Sequence, residues 1–348
     1  MTTSTPTHAA SNTTATPMPG ASTGAAGHGT PLATFTALLR REFWENRGGL
    51  WTSQLWTTGI LLVLIALSLL IGETFRVNLV GDVDVASLAD LAGSQVQGTQ
   101  LAELRRGLGI GLWSLGVLNQ IVLYFVVLFY CISALYDERK DRSILFWKSL
   151  PATDTQTVLS KLVTAVLVAP VLALAAIAIL HLGTLLLLSL YASFHGLNPW
   201  PVLWQPGLLL DVWLRTLATI PVHMLWALPG IAWLLLASSW AKRAPFVWAV
   251  LLPILAAVLA SMLETLIRLR LPGSWVWEHV VGRIVSSPGM MSLQPWRWQQ
   301  ASDNPFMEPV TWGQLRQTLV SIETGIGLLV AVALLAAAIW LRRYRDDS

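Results

Sequence analysis

A helix can cross a bilayer only where about 20 consecutive residues are mostly apolar. This sequence has six such stretches, at about 51–71, 112–135, 162–191, 212–237, 246–267 and 320–341. The third is longer than one crossing needs, so it must tilt or rise above the bilayer. Charged residues make up only 12% of the chain and the mean hydropathy is +0.60. Soluble domains carry about 25% charged residues, so too little polar surface is present to solvate a globule of this size. Lipid removes that difficulty; its lack of hydrogen-bonding groups leaves helices or closed barrels as spanning elements, and apolar runs of about 20 residues call for helices. The expected fold is an all-α integral membrane protein: a bundle of six transmembrane helices at 51–345, preceded by an amphipathic interfacial helix at 31–50.

Residues 1–30 are rich in Thr, Ser, Ala, Gly and Pro and hold no Lys or Arg. They read as a disordered tail, and they lack the basic start and apolar core of a secretory signal. The single cysteine, Cys131, excludes an intramolecular disulfide and a cysteine metal site. The net charge of +3 is too small to point to nucleic acid.

The distribution of basic residues sets the orientation. One side of the membrane collects Arg40, Arg41 and Arg47, then Arg139, Lys140, Arg142, Lys148 and Lys161, then Lys242 and Arg243, and finally Arg342, Arg343 and Arg345. The other side holds Arg76, Arg105, Arg106, Arg268, Arg270, Arg283, Arg297 and Arg316, spread over longer loops. Both termini are therefore expected in the cytoplasm, which an even number of crossings allows. The outer loop 268–319 carries Trp275, Trp277, Trp296, Trp298 and Trp312. Tryptophan favours the headgroup level, so parts of this loop are expected against the membrane as short helices.

Two cytoplasmic segments carry features beyond those of plain connections. In 32–47, Leu32, Phe35, Leu39 and Phe43 fall on one face at helical spacing, with Arg40, Arg41 and Arg47 away from it. This is the pattern of a helix lying on lipid with its basic face towards headgroups. In 136–151, a mixed-charge cluster from Asp137 through Glu138 and Arg139 to Arg142 precedes an apolar patch of Ile144, Leu145, Phe146, Trp147 and Leu150. Pro151 ends that helix. Thr153 with Gln156 reads as a capping box opening the next one. Aromatic anchors inside a charged rim suit the docking of a soluble partner; the plainer reading is a helix resting on lipid.

The order of elements resembles the permease subunits of type-2 ABC exporters: basic interfacial helix, first span, long outer loop, second span, charged segment ending in Leu150-Pro151, then four spans. Asp137-Glu138-Arg139 followed by Leu150-Pro151 matches that family's cytoplasmic charged-loop pattern, although Lys140-Asp141-Arg142-Ser143 stands where many relatives have Gly-Thr. The likeness covers roughly residues 32–345. It implies a bacterial plasma-membrane protein working as a homodimer or with a second permease, with an ATP-binding subunit docked at Arg40, Arg41, Asp137, Glu138, Arg139, Ile144, Phe146, Trp147, Leu150 and Pro151. ATP and magnesium would then belong to that partner, and no cofactor is expected in this chain. In agreement, the sequence has no Gly-x-x-x-x-Gly-Lys-Ser/Thr phosphate loop.

Asn119, Gln120, His181 and His223 are candidate polar residues of a pathway, since polar groups at such depth are costly. Their bland alternative is a satisfied helix-to-helix hydrogen bond. Arg215, Glu264 and Glu323 are expected near the outer interface, and Pro170, Pro221, Pro229 and Pro253 are expected to kink their helices. No His-Glu-x-x-His or Gly-x-Ser-x-Gly motif supports an enzyme. Two rival readings stand beside the exporter: an ion-coupled secondary carrier using His181 and His223, and a membrane scaffold or immunity protein that transports nothing.

Overall fold

The computed structural model of the chain describes residues 31–71, 98–141, 152–196, 198–204, 206–267, 276–285 and 310–344. The described residues are helical, with no strand among them. Among the described residues six helices are long and apolar enough to cross a membrane: Pro31–Ile71, Ala102–Lys140, Asp154–Phe194, Leu209–Trp240, Val247–Leu266 and Ile322–Tyr344. The chain is an all-α multi-pass membrane protein, as its hydropathy dictates.

Span one joins α1 (Pro31–Arg47) to α2 (Ser53–Ile71) through a π turn at Gly48–Thr52. Span two is α3 (Gly98–Ala134) followed by the short α4 (Tyr136–Lys140). Span three joins α5 (Asp154–Val163) and α6 (Ala169–Phe194) through a second π turn, Thr164–Val168. A small α7 (Trp200–Leu203) then leads into span four, α8 (Pro206–Trp240). Span five is a π turn at Val247–Leu251 and α9 (Leu252–Ile267). A short insert follows, a π turn at Trp277–Val281 and α10 (Gly282–Val285). Finally α11 (Trp312–Val320) precedes span six, α12 (Ile322–Tyr344).

Contact registers give the directions of the spans. Glu42 meets Lys161 and Thr58 meets the carbonyl of Ala176, at sequence separations of 119 and 118. A near-constant separation means that spans one and three run parallel, side by side, over this length. A Cβ on Gly183 would strike the side chain of Leu62, so this glycine lets the two helices approach closely. Spans two and four are parallel in the same way, through Leu135 with Ser238 and Arg139 with Ala241. Span one is 41 residues long. At 1.5 Å per residue that is about 60 Å, twice the hydrocarbon thickness, so spans one and three extend well beyond the apolar layer.

Expected local features are found. The capping box at Thr153 is present: its hydroxyl accepts from the Gln156 N–H at 3.2 Å, and the Gln156 side chain accepts from the Thr153 N–H at 3.0 Å. A second capping box, Thr311 with Gln314, opens α11. The prolines are accommodated in two ways. Pro221 and Pro229 lie inside α8, whereas Pro170 and Pro253 are the second residues of α6 and α9, each of which begins at the end of a π turn. Pro253 has no N–H for the carbonyl of Ala249 four residues back. Trp233 takes up that carbonyl with its indole N–H, at 2.9 Å.

The amphipathic face of α1 differs from its sequence pattern by one position. Leu38 and Glu42 are buried, Phe35, Leu39 and Phe43 are half-buried, and Leu32 is 74% exposed. A carboxylate, Glu42, sits in the middle of the inward face, and its partners explain the rotation. Outward, Trp56, Ile60, Val63, Leu64, Leu67 and Leu70 of α2 are exposed apolar residues suited to lipid. The insert after span five goes deeper than a surface helix, because a Cβ on Gly230 of α8 would overlap the backbone carbonyl of Arg283.

Candidate functional site

At one end of the bundle the buried charges form a single connected plate. Glu42 of α1 is 1% exposed, and both its oxygens are engaged. Lys161 of α5 donates to one at 2.9 Å, and the Tyr130 hydroxyl of α3 donates to the other at 2.8 Å. Lys161 also reaches Glu138 of α4 at 3.0 Å. Glu138 is paired in turn with Arg342 of α12 at 2.6 Å, and Arg41 of α1 stands 3.7 Å away. Arg342 closes the chain on Asp154 of α5 at 3.0 Å. Glu42, Glu138 and Asp154 therefore face Arg41, Lys161 and Arg342, a set without net charge. Buried charges are tolerated only when paired and hydrogen-bonded in this manner.

Span four joins the same plate through polar contacts. Ser238 Oγ accepts from the N–H groups of Leu135 and Tyr136, at 3.0 and 2.9 Å, where the helix breaks between α3 and α4. The Arg139 guanidinium donates to the carbonyls of Ser238 and Ala241, at 2.6 and 2.8 Å, at the end of α8. These carbonyls lack helical partners, and a cation is favoured there by the helix dipole. Spans one, two, three, four and six thus meet at one level. Both ends of the membrane bundle lie on this face, since Arg41 and Arg342 address the same carboxylate.

The sequence candidates fall into three groups. Arg41, Glu138 and Arg139 belong to the plate. Arg40 and Asp137 are exposed beside it and offer their charges to the surroundings. Ile144, Phe146, Trp147, Leu150 and Pro151 lie outside the described residues, in the sequence between the plate members Arg139 and Asp154. Comparison with known protein families, characterised proteins and solved structures finds no match to this chain.

Sequence reasoning missed Glu42, Tyr130, Asp154, Lys161 and Arg342 as members of a site. By sequence Lys161 and Arg342 are only basic flanks of spans. A usable signal was present in Glu42, a carboxylate four residues after Leu38 on a helix packed by its apolar face.

The polar residues within the spans behave differently from one another. His181 has both ring nitrogens engaged: the Trp213 indole N–H donates to Nδ1 at 3.1 Å, and Nε2 lies 2.9 Å from the carbonyl of Leu112. Nδ1 must therefore accept, Nε2 must donate, and the ring is held as one neutral tautomer. The Asn119 amide donates to Thr58 at 3.2 Å, and Thr58 passes a hydrogen bond to the Ala176 carbonyl at 3.4 Å, linking spans two, one and three. Gln54, Gln120 and Thr219 are fully buried, and their side-chain polar atoms have no partner among the described residues. His223 lines a cavity with Tyr124 and Arg283. Glu264 and Glu323 are exposed, and Arg215 forms a helical pair with Asp211 at 2.8 Å. Among the described residues no group of His, Cys, Asp and Glu could hold a metal ion.

Proposed function

We propose that this chain is the membrane-spanning permease subunit of an ATP-driven ABC exporter, driven by a separate ATP-binding subunit at the face carrying the charge plate. The observation that carries the reading is the convergence of five spans on one buried network, two of whose members, Arg139 and Asp154, flank the segment 142–151 in the sequence. A push on that segment is delivered at both of its ends. The Asp141 end passes it to Glu138 and Arg139, hence to spans six and four; the Ala152 end passes it to Asp154 and Lys161, hence to spans six and one. Buried hydrogen-bonded and ion-paired contacts of this kind stiffen the elements they join, which favours passing such a displacement on. ATP and magnesium belong to the partner in this scheme. The working unit is two permease chains, the exposed apolar faces of α2, α9 and α12 being covered by lipid or by the second copy. Its place is the bacterial plasma membrane, with both termini in the cytoplasm.

The ion-coupled carrier gains nothing from His181, whose two nitrogens have no vacancy for a relayed proton. The test is co-purification in mild detergent. A stoichiometric ATPase should come down with the native chain, and Trp147→Ala or the charge reversals Arg40→Glu and Asp137→Lys should release it. Arg139 is unsuited to this test because its guanidinium caps α8. If no ATPase co-purifies, and transport stops with a protonophore but survives ATP depletion, the proposal is wrong.

A further inference from the structure

The buried cations of the plate each have carboxylate partners within 3.0 Å. Arg283 does not. It sits on the insert between spans five and six and is 7% exposed, yet no carboxylate among the described residues lies within ion-pair distance of it, the Glu323 carboxylate acting on it only from further away. Its Nη2 donates to the backbone carbonyl of Glu323 at 2.9 Å, and its guanidinium carbon lies 5.4 Å from the centroid of the Trp226 ring. Its Nε has no hydrogen-bond partner. The Glu323 carboxylate itself is exposed and lies 3.7 Å from His279.

The arginine is seated there by the fold. Gly230 of α8 makes room for its backbone, and Gly327 of α12 makes room for its guanidinium, which a Cβ at that position would overlap. Gly327 is 15 residues before Arg342 on the same helix. That is about 22 Å of rise, which puts the cation at membrane depth in the half of the bundle away from the plate. A cavity of about 30 Å³ opens beside it. Its polar walls are Arg283, Tyr124 and His223, and Val127, Met224 and Ile231 are among its apolar ones. A space of that size admits one small polar group and little more.

We propose that Arg283 is the anchor of a binding site for a single acidic group, a carboxylate or a small monovalent anion, taken up between spans two and four and the insert that carries the arginine. A buried guanidinium whose Nε has no hydrogen-bond partner, and whose coupling to the exposed Glu323 carboxylate falls short of an ion pair, has room for a further anion, and its forked donors suit a carboxylate. The acid arrives either free in water or at the head of an amphiphile whose chain stays outside the cavity. The site does not depend on an ATPase docking at the opposite face.

The test uses the full chain purified in a neutral maltoside detergent, at fixed ionic strength set by the sodium salt of a bulky sulfonate buffer (MES) that carries no carboxylate. Sodium chloride, sodium formate and sodium dodecanoate are each exchanged in, and thermal unfolding is followed. A saturable rise in Tm of roughly 3–6 °C is expected with at least one probe. Arg283→Gln should abolish it, and Gly327→Ala, which keeps the charge and displaces it, should weaken it. A response to dodecanoate alone identifies a membrane acid as the source; a response to chloride or formate identifies a free anion. The proposal is overturned if no probe raises Tm in the native chain. An equal rise in Arg283→Gln overturns it too. Should Arg283→Gln not accumulate, a rise in the native chain that fails to saturate overturns it as well.

Discussion

Lys161→Met removes one charge from the plate while keeping the length of the side chain. Lys161 is 3% exposed and lies between two carboxylates, Glu42 at 2.9 Å and Glu138 at 3.0 Å. At an effective dielectric of about 20, a single pair at 2.9 Å attracts by about 6 kcal/mol before desolvation is subtracted. Removal of one partner from such a buried pair leaves an uncompensated charge, and the net loss is about 3–5 kcal/mol. Here the loss falls on Glu42, which retains only the Tyr130 hydroxyl, whereas Glu138 retains Arg342. Glu42→Gln restores neutrality and keeps an acceptor for Tyr130. The double variant should therefore recover about 2 kcal/mol or more relative to the sum of the single variants, and the effect should change little between low and high salt. The measurement is equilibrium unfolding in mixed detergent micelles with increasing dodecyl sulfate. Additivity of the two substitutions within about 0.5 kcal/mol would refute the claim that they share one buried interaction.

Two further substitutions probe the scaffold. Gly183→Val should wedge spans one and three apart at Leu62, lowering stability by about 1–3 kcal/mol through overpacking; Leu62→Ala in the same chain should relieve part of the loss, and a neutral Gly183→Val in the unfolding assay would contradict the close approach. Ala244, in the turn between spans four and five, has φ +47°. That conformation costs an L residue about 1–2 kcal/mol, so Ala244→Gly should be neutral to stabilising by up to about 1 kcal/mol and Ala244→Val destabilising; a clear loss of Tm in Ala244→Gly would show that the turn is not strained.

The number of crossings, the helical class and the capping box at Thr153 were legible in the sequence because each follows from local chemistry. Apolar length requires a spanning helix, and a Thr with Gln three residues on satisfies the orphan N–H groups of a first turn. The inward face of α1 was legible only to within one residue. Its apolar stripe indicated Leu39 and Phe43, but the helix is turned so that Glu42 reaches Lys161 and Tyr130. Periodicity ranks side chains by apolarity and treats a carboxylate as outward-facing, so a buried ion pair is invisible to it until both partners are placed. Arg283 shows the same limit from the other direction. It reads as an outer-loop cation, and only the absence of side chains at Gly230 and Gly327 lets it enter the bundle.

Alone, then, the sequence determined that this chain lives in a membrane as six helices with its basic residues gathered at one end, because lipid offers no partner to an unpaired backbone and no solvent to a charge. The tertiary structure decided which of those charges meet. Lys161, Glu138, Glu42 and Arg342 lie up to 300 residues apart in the chain. Parallel registers of spans one and three, and of two and four, bring them within hydrogen-bonding distance, and no local pattern encodes that register. Whether a buried cation is satisfied, like Lys161, or left open, like Arg283, depends on what the neighbouring helices present at its depth.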